Sequence, residues 1–224
     1  MEIEKLCNPK KSIFLGLDEQ GRIQGRGRFF AELSPEEYPA IKGCVISGFK
    51  KKNLIELVDL FPNLIELTIE KTSNLITLEG VNRLTELRGI TIEECPKLVD
   101  LSSLSSCLKI IEVRLGAFKT ATNILGFISP QKLTALSIHG NATDLDKILN
   151  FENLDYMTIN GYGCDLETLP IFPKIRKTFT LEGFPKLKEA SFMSNFDSDM
   201  RLTWWGPKPI AGIPDHLKHL ETFK

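Results

Sequence analysis

Leu87-Arg-Gly-Ile90-Thr-Ile92-Glu-Glu-Cys95-Pro-Lys-Leu98-Val-Asp-Leu101 is the stretch of sequence that decides the fold. Apolar and polar residues alternate around Ile92, which predicts a short β-strand with one buried face. Apolar residues then recur at every third position. This spacing predicts a 3₁₀ or irregular turn better than a long α-helix. The same pattern recurs along most of the chain, which indicates a repeat protein.

The repeat becomes visible when Ile92 is taken as an anchor, the second buried residue of its strand. Equivalent anchors lie 21 to 25 residues apart, at Ile46, Ile69, Ile92, Val113, Ile138, Ile159, Leu181 and Trp204. The residue two positions earlier is always apolar: Cys44, Leu67, Ile90, Ile111, Leu136, Met157, Phe179 and Leu202. Five positions before the anchor stand Ile41, Leu64, Leu87, Leu108, Leu133 and Leu154, and then Arg176 and Asp199 break the column.

Two phrases carry a resemblance to a known family. Leu78-Glu-Gly-Val-Asn-Arg-Leu84-Thr-Glu-Leu87 resembles the L-x-G-x-x-x-L-T-x-L phrase of internalin-like leucine-rich repeats. Ile92-Glu-Glu-Cys95-Pro-Lys-Leu98 resembles the cysteine-containing repeats of plant resistance receptors, and residues 181–187 repeat it with Phe184 in place of Cys. The resemblance covers roughly residues 41–206. It implies membership of the leucine-rich repeat superfamily, most of whose members bind proteins.

We therefore expect an α/β solenoid, a leucine-rich-repeat horseshoe with a parallel concave β-sheet and short 3₁₀ or irregular convex turns. Residues 1–40 do not fit the repeat, and we predict an N-terminal cap there, with a hairpin around Asp18–Gly21 and a short helix from Ser34-Pro35. About eight repeats should fill residues 41–206. Residues 207–224 should form a C-terminal cap or an incomplete ninth repeat. No second domain is expected.

Composition restricts the class of function. Of the 224 residues, 42% are hydrophobic and 25% are charged, as in ordinary globular proteins. The formal net charge of −1 does not favour nucleic acid or an anionic membrane surface, and no apolar run could cross a bilayer. The N-terminus lacks the apolar core of a secretory signal. Five scattered cysteines without a C-x-x-C pair predict free thiols, with Cys44 and Cys95 buried, and a cytoplasmic location.

The side chains that alternate with the buried ones should point to the concave face. The middle column of that face contains Val45, Thr68, Thr91, Glu112, Ser137, Thr158, Thr180 and Thr203. The column after the anchor contains Ser47, Glu70, Glu93, Arg114, His139, Asn160, Glu182 and Trp205, and a third column contributes Glu66, Ile110, Tyr156 and Arg201. Within these columns, the predicted partner-binding residues are Glu70, Glu93, Arg114, His139, Tyr156, Asn160, Arg201 and Trp205. An ordinary solvated sheet face is the alternative for any single one of them.

Signals for catalysis, a metal or a cofactor are weak. Glu70 and Glu93 should be neighbours on adjacent strands, but repetition alone produces such a row. The pair His216-x-x-His219 has the spacing of a helical metal site without further ligands, so a surface helix is the simpler interpretation. The glycines and arginines of residues 21–28 lack the spacing of a phosphate-binding loop. We therefore predict a non-enzymatic protein without a cofactor or a metal.

Two hypotheses of function remain. In the first, the chain is an interaction module that binds a protein partner through the concave sheet face. In the second, it is a structural or regulatory segment of a larger assembly that makes contact through its convex side or its C-terminal end. Neither nucleic acid nor membrane insertion is expected. The sequence does not identify the partner or the oligomeric state.

Overall fold

The computed structural model describes residues 3–17, 23–116, 124–129, 131–140, 144–161, 165–206 and 211–218. The chain divides into two compact units, residues 1–121 and 122–224. This division does not test the predicted boundaries of the cap (1–40), the repeats (41–206) and the C-terminal segment (207–224), which stay predictions.

The described part of the first unit contains six strands, with the order β6-β5-β4-β3-β1-β2. They are β1 (Ile13–Leu17), β2 (Ile23–Phe29), β3 (Gly43–Ser47), β4 (Glu66–Glu70), β5 (Gly89–Glu93) and β6 (Glu112–Gly116). Strands β3 to β6 are parallel, and the predicted hairpin, β1 with β2, attaches antiparallel to β3. The connections contain a short α-helix, α1 (Ile55–Leu60), and 3₁₀ turns at Ile3–Lys5, Phe30–Glu32, Pro35–Ala40, Val81–Arg83 and Ser102–Ser106.

The described part of the second unit contains four parallel strands in the order β10-β9-β8-β7. They are β7 (Ala135–His139), β8 (Tyr156–Asn160), β9 (Thr178–Glu182) and β10 (Arg201–Trp205). Their connections contain 3₁₀ turns at Leu125–Phe127, Leu145–Asn150, Ser191–Met193 and Asp215–Leu217. The strands of both units are thus mostly parallel, and the helices between them are few and short, as the repeat pattern predicts.

Burial follows the apolar columns of the sequence. In the central repeat Leu87, Ile90 and Ile92 are buried, whereas Thr91 between the last two is partly exposed. The second unit fills much of its core with aromatic rings, whose centroids lie 4.9 to 6.4 Å apart at Phe172, Phe179, Phe192 and Phe196. Where Arg176 and Asp199 break the leucine column, neighbouring residues replace them: Ile175 and Met200 are buried instead.

The predicted register of the fourth repeat is wrong by two residues. In the parallel ladder Ile92 lies opposite Leu115, not Val113, and Ile90 lies opposite Val113, not Ile111. Ile110 takes the place predicted for Leu108 in the buried column. Ile110 is 3% exposed, whereas Leu108 is 56% exposed. A shift of two residues preserves the alternation of a strand, so the local pattern could not reveal the error.

A left-handed turn ends β3, β4, β5, β7 and β9. Two residues after the anchor, φ is positive at Gly48, Lys71, Glu94, Gly140 and Gly183. The amide of this residue donates to the carbonyl at the end of the following strand, for example from Gly48 to Glu70 and from Lys71 to Glu93. Glycine suits the turn because it has no Cβ to clash with the backbone.

Side chains stabilise the starts of the helical turns in different ways. The connector of residues 50–60 forms α1, and Glu37 Oε2 accepts the Ser34 amide at 2.9 Å at the start of the short helix predicted from Ser34-Pro35, which is a 3₁₀ turn. Asp144 does not cap the turn that follows it. Its buried carboxylate accepts the amides of Ile124 and Gly126, at 3.0 and 2.8 Å, and so stabilises the preceding turn.

The corrected register makes a prediction about stability. Ile110→Ala should lower the free energy of unfolding by about 2 to 5 kcal/mol, because it leaves a cavity in the core. Leu108→Ala is the matched control and should change the free energy by less than about 0.5 kcal/mol, because its side chain is mostly exposed. Urea unfolding followed by circular dichroism measures both. If Leu108→Ala lowered the free energy of unfolding more than Ile110→Ala does, the register predicted from the sequence would be correct.

Gly80 provides a second prediction. Its φ is +102°, and a Cβ atom there would lie 2.9 Å from the backbone nitrogen of Ile55 and 3.1 Å from the carbonyl carbon of Leu54. Gly80→Ala should therefore lower the free energy of unfolding by about 2 kcal/mol or more, because the backbone must move to make room for the methyl group. Gly206→Ala is the control, since its Cβ would meet nothing closer than 3.6 Å. Equal unfolding midpoints for the two variants would contradict the geometry.

Candidate binding surface

Each sheet has a face turned away from its core, here called its open face. In the first unit the ladder from β3 to β6 arranges this face in three rows. The first row is Gly43, Glu66, Gly89 and Glu112; the second is Val45, Thr68, Thr91 and Arg114; the third is Ser47, Glu70, Glu93 and Gly116. Thr68 with Thr91 and Glu70 with Glu93 are neighbours, as the repeat predicts.

The two-residue correction moves three predicted residues of the first open face. Arg114 lies in the middle row opposite Thr91, not beside Glu93, and Glu112 lies in the first row opposite Gly89. Ile110 is buried and does not belong to the face. The rows then contain four carboxylates and one guanidinium group, which lies 3.8 Å from the Glu112 carboxylate. The face is therefore acidic, with the same charged side chains as the predicted columns in a different arrangement.

Glu66 occupies an unusual place on this face. Its carboxylate lies against Gly89, where a Cβ atom would overlap it, and Glu112 follows on the far side of Gly89. Burial of the carboxyl group, with the charge of Glu112 next in importance, raises the pKa of Glu66 to about 7, against an opposing effect of Arg88. The sequence placed Glu66 on the face without singling it out. The glycine at the equivalent position of the next repeat was the signal for this arrangement.

The open face of the second unit follows the predicted columns. Its rows are Ala135, Tyr156, Thr178 and Arg201; Ser137, Thr158, Thr180 and Thr203; and His139, Asn160, Glu182 and Trp205. The middle row is a continuous run of hydroxyl side chains. The first row contains the exposed Arg201, and the third row ends in an exposed Trp205.

Two polar contacts involve side chains of the third row, one to the middle row and one within the third row. His139 lies opposite Asn160, as predicted, and its Nε2 is 3.1 Å from the Ser137 hydroxyl. The Asn160 amide donates to Glu182 Oε2 at 2.8 Å. These contacts orient His139, Asn160 and Glu182 along one edge of the open face. Glu182 was in the predicted column but not among the predicted binding residues.

The aromatic residues of the second face are unusually exposed. Tyr156 is 48% exposed, and Trp205 is 57% exposed, whereas Trp204 beside it is buried as predicted. The Lys177 ammonium lies 5.4 Å from the centre of the Tyr156 ring and also forms an ion pair with Asp155 at 2.7 Å. Alternation could not indicate this lysine, because it precedes β9 and lies outside the alternating columns.

Among the described residues, no group of three His, Cys, Asp or Glu side chains could hold a metal ion. His216 contacts the Phe196 carbonyl at 3.0 Å, and its predicted companion His219 lies outside the described residues. Burial raises the pKa of the Cys95 thiol to about 12 and that of Cys107 to about 11, so both stay protonated and are poor nucleophiles.

Comparison with known proteins does not assign the chain to a family. No family model matches the chain, and no curated protein matches it in sequence. Within the described residues, every helix is too short or too polar to span a bilayer.

The raised pKa of Glu66 predicts how stability depends on pH. Below about pH 4 the carboxyl group is protonated in both states. As the pH rises towards 7, the unfolded chain loses this proton while the folded chain keeps it, so the free energy of unfolding falls. Because Glu66 is partly solvated, we expect a loss of roughly 1 to 2 kcal/mol. Glu66→Gln should remove this loss and be more stable than the wild type at about pH 8.

Urea unfolding at a series of pH values measures this loss. Glu112→Gln is the matched variant, because it removes the charge next to Glu66. It should make the free energy of unfolding fall less as the pH rises, but the fall should persist because Glu66 is still buried. Identical pH profiles for the wild type and Glu66→Gln would show that Glu66 does not titrate in this range.

Proposed function

We propose that the chain is a leucine-rich-repeat solenoid that binds a protein partner through the concave face of its sheet. The observation that carries this proposal is the exposure of large side chains on the open face of the second unit. Tyr156 and Trp205 are about half exposed on the same face as Arg201. Tyr, Trp and Arg are the residue types that contribute most to protein–protein binding.

The spacing of the strands supports the leucine-rich-repeat part of the proposal. With Leu115 as the fourth anchor, the first five anchors, Ile46, Ile69, Ile92, Leu115 and Ile138, are each 23 residues apart. The 3₁₀ turns between strands also agree with the expected short connections. Stacked units of this kind present broad sheet surfaces, which repeat proteins use for binding.

A contact outside the sheet face is the second candidate function, as part of a larger assembly. It is favoured by exposed apolar residues in the connections of the first unit, at Val99 and Leu108. Leu108 lines a groove of about 230 Å³ together with Leu84, Leu87 and Lys109. Self-association that increases with protein concentration in light scattering, and that Leu108→Asp abolishes, would support this alternative.

Affinity capture from source-cell lysate tests the proposed function. The face variants are Glu93→Arg with Arg114→Glu in the first unit, and Tyr156→Ala with His139→Glu in the second. The control, Glu79→Arg with Lys97→Glu, also reverses two charges, at exposed positions in the connections. We expect wild type and control to retain a common protein that at least one face variant loses by about tenfold or more. Circular dichroism confirms that all four proteins are folded.

Equal retention by all four folded proteins would contradict binding through the sheet face. In that case Leu108→Asp becomes the informative variant, since loss of the retained protein would assign the contact to the connections.

A further inference from the structure

The two ends of the second open face differ in chemistry. Tyr156 and Arg201 stand in the row where the parallel strands begin, and Glu182 and Trp205 stand in the row where they end. Only small side chains separate the two rows, so the face offers a flat path along the strands. A partner that lies along this path meets a different environment at each end.

The end that contains Arg201 is cationic. In the part of the chain that the structure describes, Arg201 is exposed and has no ion pair, and Asp199, two residues earlier, accepts a hydrogen bond from Ser198 at 3.1 Å. Lys177 adds a second positive charge beside Tyr156, partly balanced by Asp155. An arginine without a counter-ion favours a carboxylate, which it can bind through two parallel hydrogen bonds.

The end that contains Trp205 is apolar at its edge. The indole side chain is more than half exposed, and its neighbour across the ladder is Glu182, whose carboxylate accepts the Asn160 amide. The exposed ring offers a large apolar area that would be stabilised by contact with another apolar side chain. Because Glu182 is negative, a second acidic group would be repelled here. The acidic and apolar contacts therefore belong to opposite ends of the face.

We propose that this face binds an extended segment of a partner protein that places an acidic side chain on Arg201 and an apolar side chain on Trp205. Arg201 and Trp205 are four residues apart on β10, about 13 Å along a strand. An extended segment aligned with β10 covers that distance in the same number of residues. The expected motif is thus an acid and an apolar residue four positions apart. This inference rests on the proposed function and specifies the chemistry of the partner.

Panning of a phage-displayed library of random linear peptides on the folded protein tests the inference without a known partner. We expect enriched peptides to share an Asp or Glu and, four residues away, an aromatic or large aliphatic residue. Synthetic peptides of the enriched sequence are then measured by fluorescence anisotropy. Arg201→Glu should weaken their binding by about tenfold or more, and Trp205→Ser should weaken it similarly.

Lys132→Glu is the matched control, because it makes the same charge change at an exposed position before β7. It should leave the affinity within about twofold of the wild type. A reciprocal change is the most specific test: a peptide with Lys in place of its acid should bind Arg201→Glu better than it binds the wild type. Circular dichroism confirms the fold of each variant.

Three outcomes would overturn the inference. These are enrichment of basic peptides, enrichment of peptides that bind Arg201→Glu as well as the wild type, and failure to enrich any peptide. If the protein instead bound glycans on an array, and Trp205→Ser abolished that binding, the face would be assigned to carbohydrate. The lysate capture remains a separate measurement: a retained protein lost by a face variant would preserve the proposed function even if the acidic motif failed.

Discussion

Parallel pairing of short strands at a constant register is the constraint on which the rest of each unit depends. A strand of five residues cannot satisfy its own backbone groups or bury its own side chains, so each strand requires the strands beside it. Pairing Ile90 with Leu67 and Ile92 with Ile69 brings buried residues of successive repeats into contact and leaves Thr91 on the open side. The core, the turns and the open face all follow from that alignment.

The left-handed turn after β3, β4, β5, β7 and β9 preserves the alignment from one repeat to the next. Its amide donates to the end of the neighbouring strand, so the backbone continues the ladder beyond the last paired residue. Glycine occupies the turn at Gly48, Gly140 and Gly183, whereas Lys71 and Glu94 adopt the same positive φ with a side chain. The hydrogen bond and the packed core on either side outweigh the modest cost of that conformation.

A common backbone thus supports two faces with different chemistry. In the first unit, glycines alternate with glutamates in one row, and the gap above Gly89 brings the Glu66 carboxyl group into a partly desolvated place near Glu112. In the second unit, aromatic and hydroxyl side chains dominate, with Arg201 and Glu182 at opposite ends. Side chains on the open face are released from the packing requirement of the core, which is why they can differ so much between repeats.

The sequence by itself determined the existence of the strands, the identity of most buried columns, and the outward direction of Tyr156 and Trp205, because alternation and repeat spacing are local properties. The tertiary structure alone decided the register at Ile110, since a shift of two residues leaves alternation intact and only pairing with the neighbouring strand distinguishes the two alignments. It also decided that Glu66 lies over Gly89. These residues are 23 positions apart, and their contact exists only when the strands pair.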